Sequence, residues 1–296
     1  MSLVSVIVAT YRRDDALRNA LKSLAEQAYK NIEIILVDDN STSEWNERVG
    51  KIVDDFKASF PTVSINYIVN EKNCGSAKTR NIGIEASNGE YITFLDDDDV
   101  YLSGKIEEQV SFMEQGNLDY SITDLYLYDE SDKLVEKRQR SYIKSTDTTA
   151  LLKYHLKYHL TGTDTMMFKR EYILQIGGFA PIDVGDEFYL MQRAIEGNGR
   201  FGYLPNCQLK AYIHTGDGGL SSGEGKIQGE NSLYDYKKSF FERLDLKTKR
   251  YIRMRHYAVI AFAYLRMKKY GGFISNSIKS FFCAPFASIA LFFGRK

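Results

Sequence analysis

The feature that most narrows what this chain can fold into is a regular alternation over its first hundred residues. Apolar, largely β-branched runs at 4–9, 32–37, 63–69 and 91–95 are separated by segments 14–28, 43–60 and 76–87. In those segments the apolar residues recur at helical spacing. A continuous apolar run suits a strand buried on both faces, and strand–helix–strand repetition predicts a parallel α/β sheet with right-handed crossovers. Beyond residue 100 the pattern loosens. It reads as a helix at 103–115, a hairpin from 120–128 and 134–138, a helix at 147–159 and a strand at 165–168. A helix at 185–197 and short strands at 200–204 and 207–214 follow. Six glycines in 216–229 predict a flexible loop, and from 230 onward the pattern is helical.

Composition bounds the class. With 44% hydrophobic and 13% aromatic residues the chain can bury a substantial core. The formal charge is zero, 39 basic against 39 acidic side chains, but it is segregated: residues 247–296 hold 11 Lys and Arg and no Asp or Glu. The body is therefore acidic and the tail basic, which points one end at an anionic partner. Cys74, Cys207 and Cys283 form neither a zinc motif nor an even disulfide framework, favouring a reducing compartment. No leader pattern precedes the first strand and no apolar stretch reaches spanning length, so the expected location is cytoplasmic.

In open α/β sheets ligands bind beyond the carboxyl ends of the strands. Here those ends carry Thr10-Tyr11-Arg12-Arg13, Asp38-Asp39-Asn40-Ser41, a turn from Asn70 to Gly75, and Asp96-Asp97-Asp98-Asp99. Four successive aspartates repel one another unless a cation intervenes, and Mg²⁺ or Mn²⁺ is typically held by one or two carboxylates plus substrate phosphates. Strand alternation would point Asp96 and Asp98 the same way. The competing reading is a solvated acidic loop capping the helix near Ser103. The first strand end has neither G-x-G-x-x-G nor G-x-x-x-x-G-K-[ST], which argues against dinucleotide and P-loop sites.

The segments Val-Ser-Val-Ile-Val-Ala-Thr-Tyr-Arg-Arg (4–13), Ile-Leu-Val-Asp-Asp-Asn-Ser-Thr (35–42), Asn-Cys-Gly-Ser-Ala-Lys-Thr-Arg-Asn (73–81) and Gly-Glu-Tyr-Ile-Thr-Phe-Leu-Asp-Asp-Asp-Asp (89–99) together resemble the family 2 glycosyltransferases, of the bacterial cell-surface glycan type. The resemblance implies the GT-A fold, a Rossmann-like, mainly parallel sheet flanked by helices, and inverting transfer from a nucleotide-diphosphate sugar. It implies a catalytic domain at 1–225, with a nucleotide-sugar half (1–100) and an acceptor half (101–225), and a basic, aromatic helical extension at 226–296. Thr10, Tyr11, Arg13, Asp38, Asp39, Asn73, Gly75, Ala77, Arg80, Asp96 and Asp97 would bind the donor, with Lys78 or Arg80 balancing phosphate. Asp96 and Asp98, helped by His214, would hold Mn²⁺ or Mg²⁺.

Inverting transfer needs a base for the acceptor hydroxyl. The pair Asp186-Glu187 resembles the family's late acidic pair in reversed order, which puts Glu187 at the base position and Asp186 before it. Helix capping is the structural alternative. His155 and His159 share a helix face without a third ligand, so packing is expected there rather than zinc. The expected donor is a UDP-sugar and the acceptor a glycan or polyprenyl-linked sugar. The tail would contact the inner face of the cell membrane peripherally, pack on the body or form a homo-oligomer, and nucleic acid is not an expected partner of so acidic a body. A sugar-phosphate nucleotidyltransferase, or an inactive glycan-binding scaffold, are the alternatives.

Overall fold

The computed structural model describes residues 1–182, 185–213 and 223–293. In chain order the elements are β1 (Val4–Thr10), α1 (Asp15–Ala25), β2 (Ile32–Asp38), α2 (Ser43–Ser59), β3 (Ser64–Val69), α3 (Ser76–Ala86), β4 (Tyr91–Phe94) and β5 (Val100–Tyr101). There follow α4 (Lys105–Gly116), β6 (Tyr120–Asp129), β7 (Leu134–Arg138), α5 (Thr148–Tyr158), β8 (Met166–Lys169), α6 (Arg170–Gln175), α7 (Asp186–Glu196) and β9 (Phe201–Ile213). The last helices are α8 (Gly223–Lys238), α9 (Leu246–Arg266), α10 (Tyr270–Cys283) and α11 (Pro285–Phe293).

The described strands form one mixed sheet in the order β3-β2-β1-β4-β8-β6-β9-β5, with β7 beside β6. The first four are mutually parallel, as the apolar runs require. β8 then enters antiparallel between β4 and β6. Nearly every residue of β1 and β2 is buried, because helices cover both faces, whereas edge strand β3 alternates. The main core runs from Val4, Val6 and Val8 through Leu17, Leu21 and Leu24 to Val49, Ile52 and Phe56. On the other face, α3 approaches β1 so closely that a Cβ on Gly83 would lie 2.5 Å from Ile7 Cγ2.

Two expectations change. The short strands at 200–204 and 207–214 are one strand, β9, whose pairing with β6 jumps from Thr123↔Leu204 to Asp124↔Cys207. Pro205 and Asn206 are accommodated as a bulge, where a missing N–H does no harm. The loop expected at 216–229 ends early, because α8 begins at Gly223; its earlier part lies outside the described residues.

The chain divides into two compact units, Met1–Thr148 with Leu160–His214, and Thr149–His159 with Thr215–Lys296. Most of α5 groups with the later helices. In that second unit His159 Nε2 lies 2.6 Å from Lys237 Nζ. Burial first, then the nearby cations, hold His159 well below its usual range.

Candidate active site

Because β1, β2 and β4 are parallel neighbours, their carboxyl ends share one edge of the sheet. The aspartate run stitches that edge together. Thr10 Oγ1 donates to Asp97 Oδ2 at 2.8 Å and the Tyr11 N–H donates to the same oxygen at 3.1 Å. Arg13 pairs with Asp97 at 3.5 Å and with Asp98 at 2.5 Å. Burial, with Asp98 adding to it, pushes the Asp97 carboxyl up to about 7 against the pull of Thr10, Tyr11 and Arg13. The Tyr11 ring stays exposed, with the Arg12 guanidinium 5.1 Å from its centroid.

Asp38 and Asp39, both expected at the donor, are engaged internally. Asp38 is fully buried and accepts from Asn40 and from the Tyr67 hydroxyl at 2.7 Å. Asp39 accepts from Asn70 and from the Cys74 and Gly75 N–H groups at 2.8, 2.8 and 3.0 Å. Asn73 donates to the Asp39 carbonyl. Asp39 thereby shapes the turn that launches α3, and Gly75 enters that helix at φ 78°, ψ 161°, a conformation nearly restricted to glycine.

Beyond β4 the chain leaves the extended form. The Asp99 N–H donates to the Asp96 carbonyl at 3.1 Å, a turn that puts the first and fourth aspartates on one side. Asp96, Asp99 and Asp164 each offer an oxygen within 4.8 Å of the others. Asp164 sits in the short turn before β8, and its Oδ1 accepts the Asp96 N–H at 2.8 Å. Burial, then the charges of Asp96 and Asp99, hold Asp164 well above the usual carboxylate range. Burial and Asp96 likewise push Asp99 up to about 7 despite a hydrogen bond with Asp164. Three convergent carboxylates are the donor set a hard divalent cation prefers, and positive charge there would relieve the repulsion, so these residues fit such an ion. Asp98, expected beside Asp96 as a ligand, pairs with Arg13. His214 lies outside the described residues.

Arg80, on the face of α3 that includes buried Ala77, joins this edge to α7. Its Nη2 binds Asp96 Oδ1 at 2.6 Å and its Nη1 binds Asp186 Oδ2 at 2.8 Å. Burial works against the guanidinium charge, but Asp96 and Asp186 outweigh it and hold Arg80 above its usual range. Asp186 Oδ2 also accepts from Ser76 Oγ at 3.0 Å, and its Oδ1 accepts the Glu187 N–H at 2.9 Å. Burial, then the neighbouring Asp186, push the Glu187 carboxyl up to about 7, with Arg80 opposing. Of the acidic pair, Asp186 anchors and Glu187 is poised near neutrality. Asp99, Asp164 and Ser76 were not among the expected site residues. The clue for Asp164 was its place just before a strand that proves antiparallel.

The glycosyl transferase family 2 model matches residues 5–177, more than half of the chain. An uncharacterized glycosyltransferase of Haemophilus influenzae is 39% identical over 118 residues, 40% of this chain and 45% of that protein. The Escherichia coli UDP-Glc:alpha-D-GlcNAc-diphosphoundecaprenol beta-1,3-glucosyltransferase WfaP is 37% identical over 127 residues, 43% of this chain and 47% of its own. The chain thus spans less than half the length of these relatives. Among solved structures, S. aureus TarS 1-349 in complex with UDP-GlcNAc superposes with TM-score 0.61 at 15% identity, over 95% of this chain and 91% of that one. Mannosyltransferase PcManGT of Pyrobaculum calidifontis, in complex with GDP-Man and Mn²⁺, does so with TM-score 0.57 at 17% identity, over 98% and 79%. These likenesses place the fold in the GT-A class, and together with the family match they mean that the chain belongs to glycosyltransferase family 2.

Proposed function

We propose that this chain transfers a sugar from a nucleotide-diphosphate sugar, a UDP-sugar, to a glycan or polyprenyl-linked acceptor, with inversion and with the help of a divalent cation. One observation carries the reading: Arg80 ties the carboxylates at the strand ends to Asp186, which sets Glu187 at the same edge. The exposed Tyr11 ring offers a wall for the base. The small residues Gly75 and Ala77 at the start of α3 let the backbone approach the diphosphate. Arg13 and Arg80 supply cationic charge, and Asp96, Asp99 and Asp164 would hold Mn²⁺ or Mg²⁺.

A bound divalent ion supplies charge neutralisation for the departing diphosphate. Glu187 takes the proton of the acceptor hydroxyl as its oxygen bonds to the anomeric carbon. The bond from that carbon to the diphosphate oxygen breaks on the opposite face, and its electron pair leaves with the nucleotide. A single displacement of this kind inverts the centre. Support for the donor and acceptor comes from the names of the relatives, since WfaP uses a UDP-sugar and a diphosphoundecaprenol acceptor, and PcManGT carries GDP-Man with Mn²⁺.

Melting the chain against a panel of nucleotide-sugars with Mn²⁺ identifies the donor, because a ligand of the folded state alone raises its melting point. Incubation with acceptor should then release nucleoside diphosphate. Consumption of added pyrophosphate, with nucleoside triphosphate and sugar 1-phosphate formed instead, would assign nucleotidyl transfer and overturn the proposal.

A further inference from the structure

We infer that α10 and α11 form a face that lies in the surface of an anionic lipid bilayer. On α10 the usual polarity of a surface helix is reversed. Its buried residues are the polar Asn276 and Ser280, with Ser280 Oγ donating to the Met254 carbonyl of α9 at 2.9 Å. Gly272 lets α10 close on α9, where an added Cβ would lie 2.6 Å from Tyr264 Cγ. Its exposed large apolar residues are Tyr270, Ile274, Ile278, Phe281 and Phe282, spaced to share one face, with Gly271, Ser275 and Lys279 also exposed. In α11 the buried residue is Ser288, 3.2 Å from Ser280, while Phe286 is 90% exposed and Ile289 47%. Small and polar side chains inside with large apolar ones outside is the arrangement of helices solvated by lipid, and water penalises it.

The charges around this face choose the occupant. Lys268 and Lys269 precede α10, Lys269 Nζ lying 2.5 Å from Glu224 of α8; Lys279 lies within α10, and Arg250 of α9 reaches its end, Nε donating to the Cys283 carbonyl at 2.8 Å. No Asp or Glu occurs from residue 246 to the end of the chain. A second copy docked through the same face would set one cationic rim against another, whereas anionic headgroups neutralise it. No helix among the described residues is long and apolar enough to cross a membrane, so the face lies in the interface plane.

Vesicle flotation of the full chain, without donor, tests this independently of sugar transfer. The wild type should float with phosphatidylcholine–phosphatidylglycerol vesicles, more weakly at high salt, and poorly with phosphatidylcholine alone. Replacing the exposed Phe282 and Phe286 by serine should weaken partition by about tenfold or more. In the wild type, hydrogen exchange should slow over 270–290 when the anionic vesicles are added. Unchanged flotation of the double variant, or no vesicle binding at all, would overturn the inference. So would an oligomer in solution whose association the double variant abolishes, since that would assign the face to a second copy.

Discussion

At the scale of single residues, the site turns on how one arginine divides two carboxylates between support and chemistry. Arg80 and Ser76 satisfy Asp186, so in the proposed mechanism the proton acceptor is Glu187, whose carboxyl burial has raised to about 7. The sign for stability follows from linkage. A folded value above the usual one means the folded state favours the proton, so this stabilisation is full in acid and is lost as pH rises through about 7. Activity runs the other way, since the base works ionised: turnover should climb as pH passes about 7. Glu187→Gln should abolish transfer, keep donor binding by calorimetry, and remove the corresponding slope from the melting temperature against pH. Retained transfer would move the base to Asp186. Arg80→Ala leaves two carboxylates facing each other without a cation, and denaturant melts should show a loss of about 3 kcal/mol or more. Arg80→Lys should rescue only part of that, because an ammonium cannot serve both partners in fork geometry. For the cation, Asp164→Asn should abolish stabilisation by Mn²⁺ in thermal melts. Asp98→Ala should retain it, because Asp98 answers to Arg13.

At the scale of elements, the parallel half of the sheet and its helices were legible because apolar periodicity reports burial directly, and β1 to β4 fall where the runs do. The aspartate run was legible as chemistry but not as geometry. Alternation holds only while the chain is extended, and the turn closed by the Asp99 N–H on the Asp96 carbonyl substitutes the fourth aspartate for the third. Asp164 escaped for a related reason. Looking beyond the carboxyl ends of strands finds ligands in parallel sheets, but β8 is antiparallel, so its beginning lies at the edge where β4 ends. Nothing local in the sequence marks that reversal. The same scale contains a packing constraint, since α3 carries Arg80 and is seated on β1 through Gly83. Gly83→Leu should force the helix off Ile7, costing about 1–3 kcal/mol in chemical denaturation. It should also lower donor affinity through displaced Arg80. Gly75→Ala should destabilise by about 1–3 kcal/mol through its backbone conformation alone.

At the scale of the whole molecule, the balanced net charge hides a division of labour. Part of the acid gathers at the candidate site: Asp97 and Asp99 are held near 7, and Asp164 and Glu187 are raised with them. Those carboxyls are raised because like charges and burial disfavour ionisation, so the unit that contains them folds against its own electrostatics when no cation is bound. Divalent ion and nucleotide-sugar should therefore stabilise the chain together more than the sum of each alone, because an ion held by Asp96, Asp99 and Asp164 would also neutralise the charge of the diphosphate. Mass action sets the scale, about 2.7 kcal/mol for a ligand at a hundred times its dissociation constant, which for a chain of this size is a rise of several degrees. Melting curves with Mn²⁺ alone, nucleotide-sugar alone and both should show that synergy, and EDTA should reverse it. If the two increments merely add, the carboxylate cluster and the donor do not share an ion, and Asp96, Asp99 and Asp164 are a buried proton-sharing network instead.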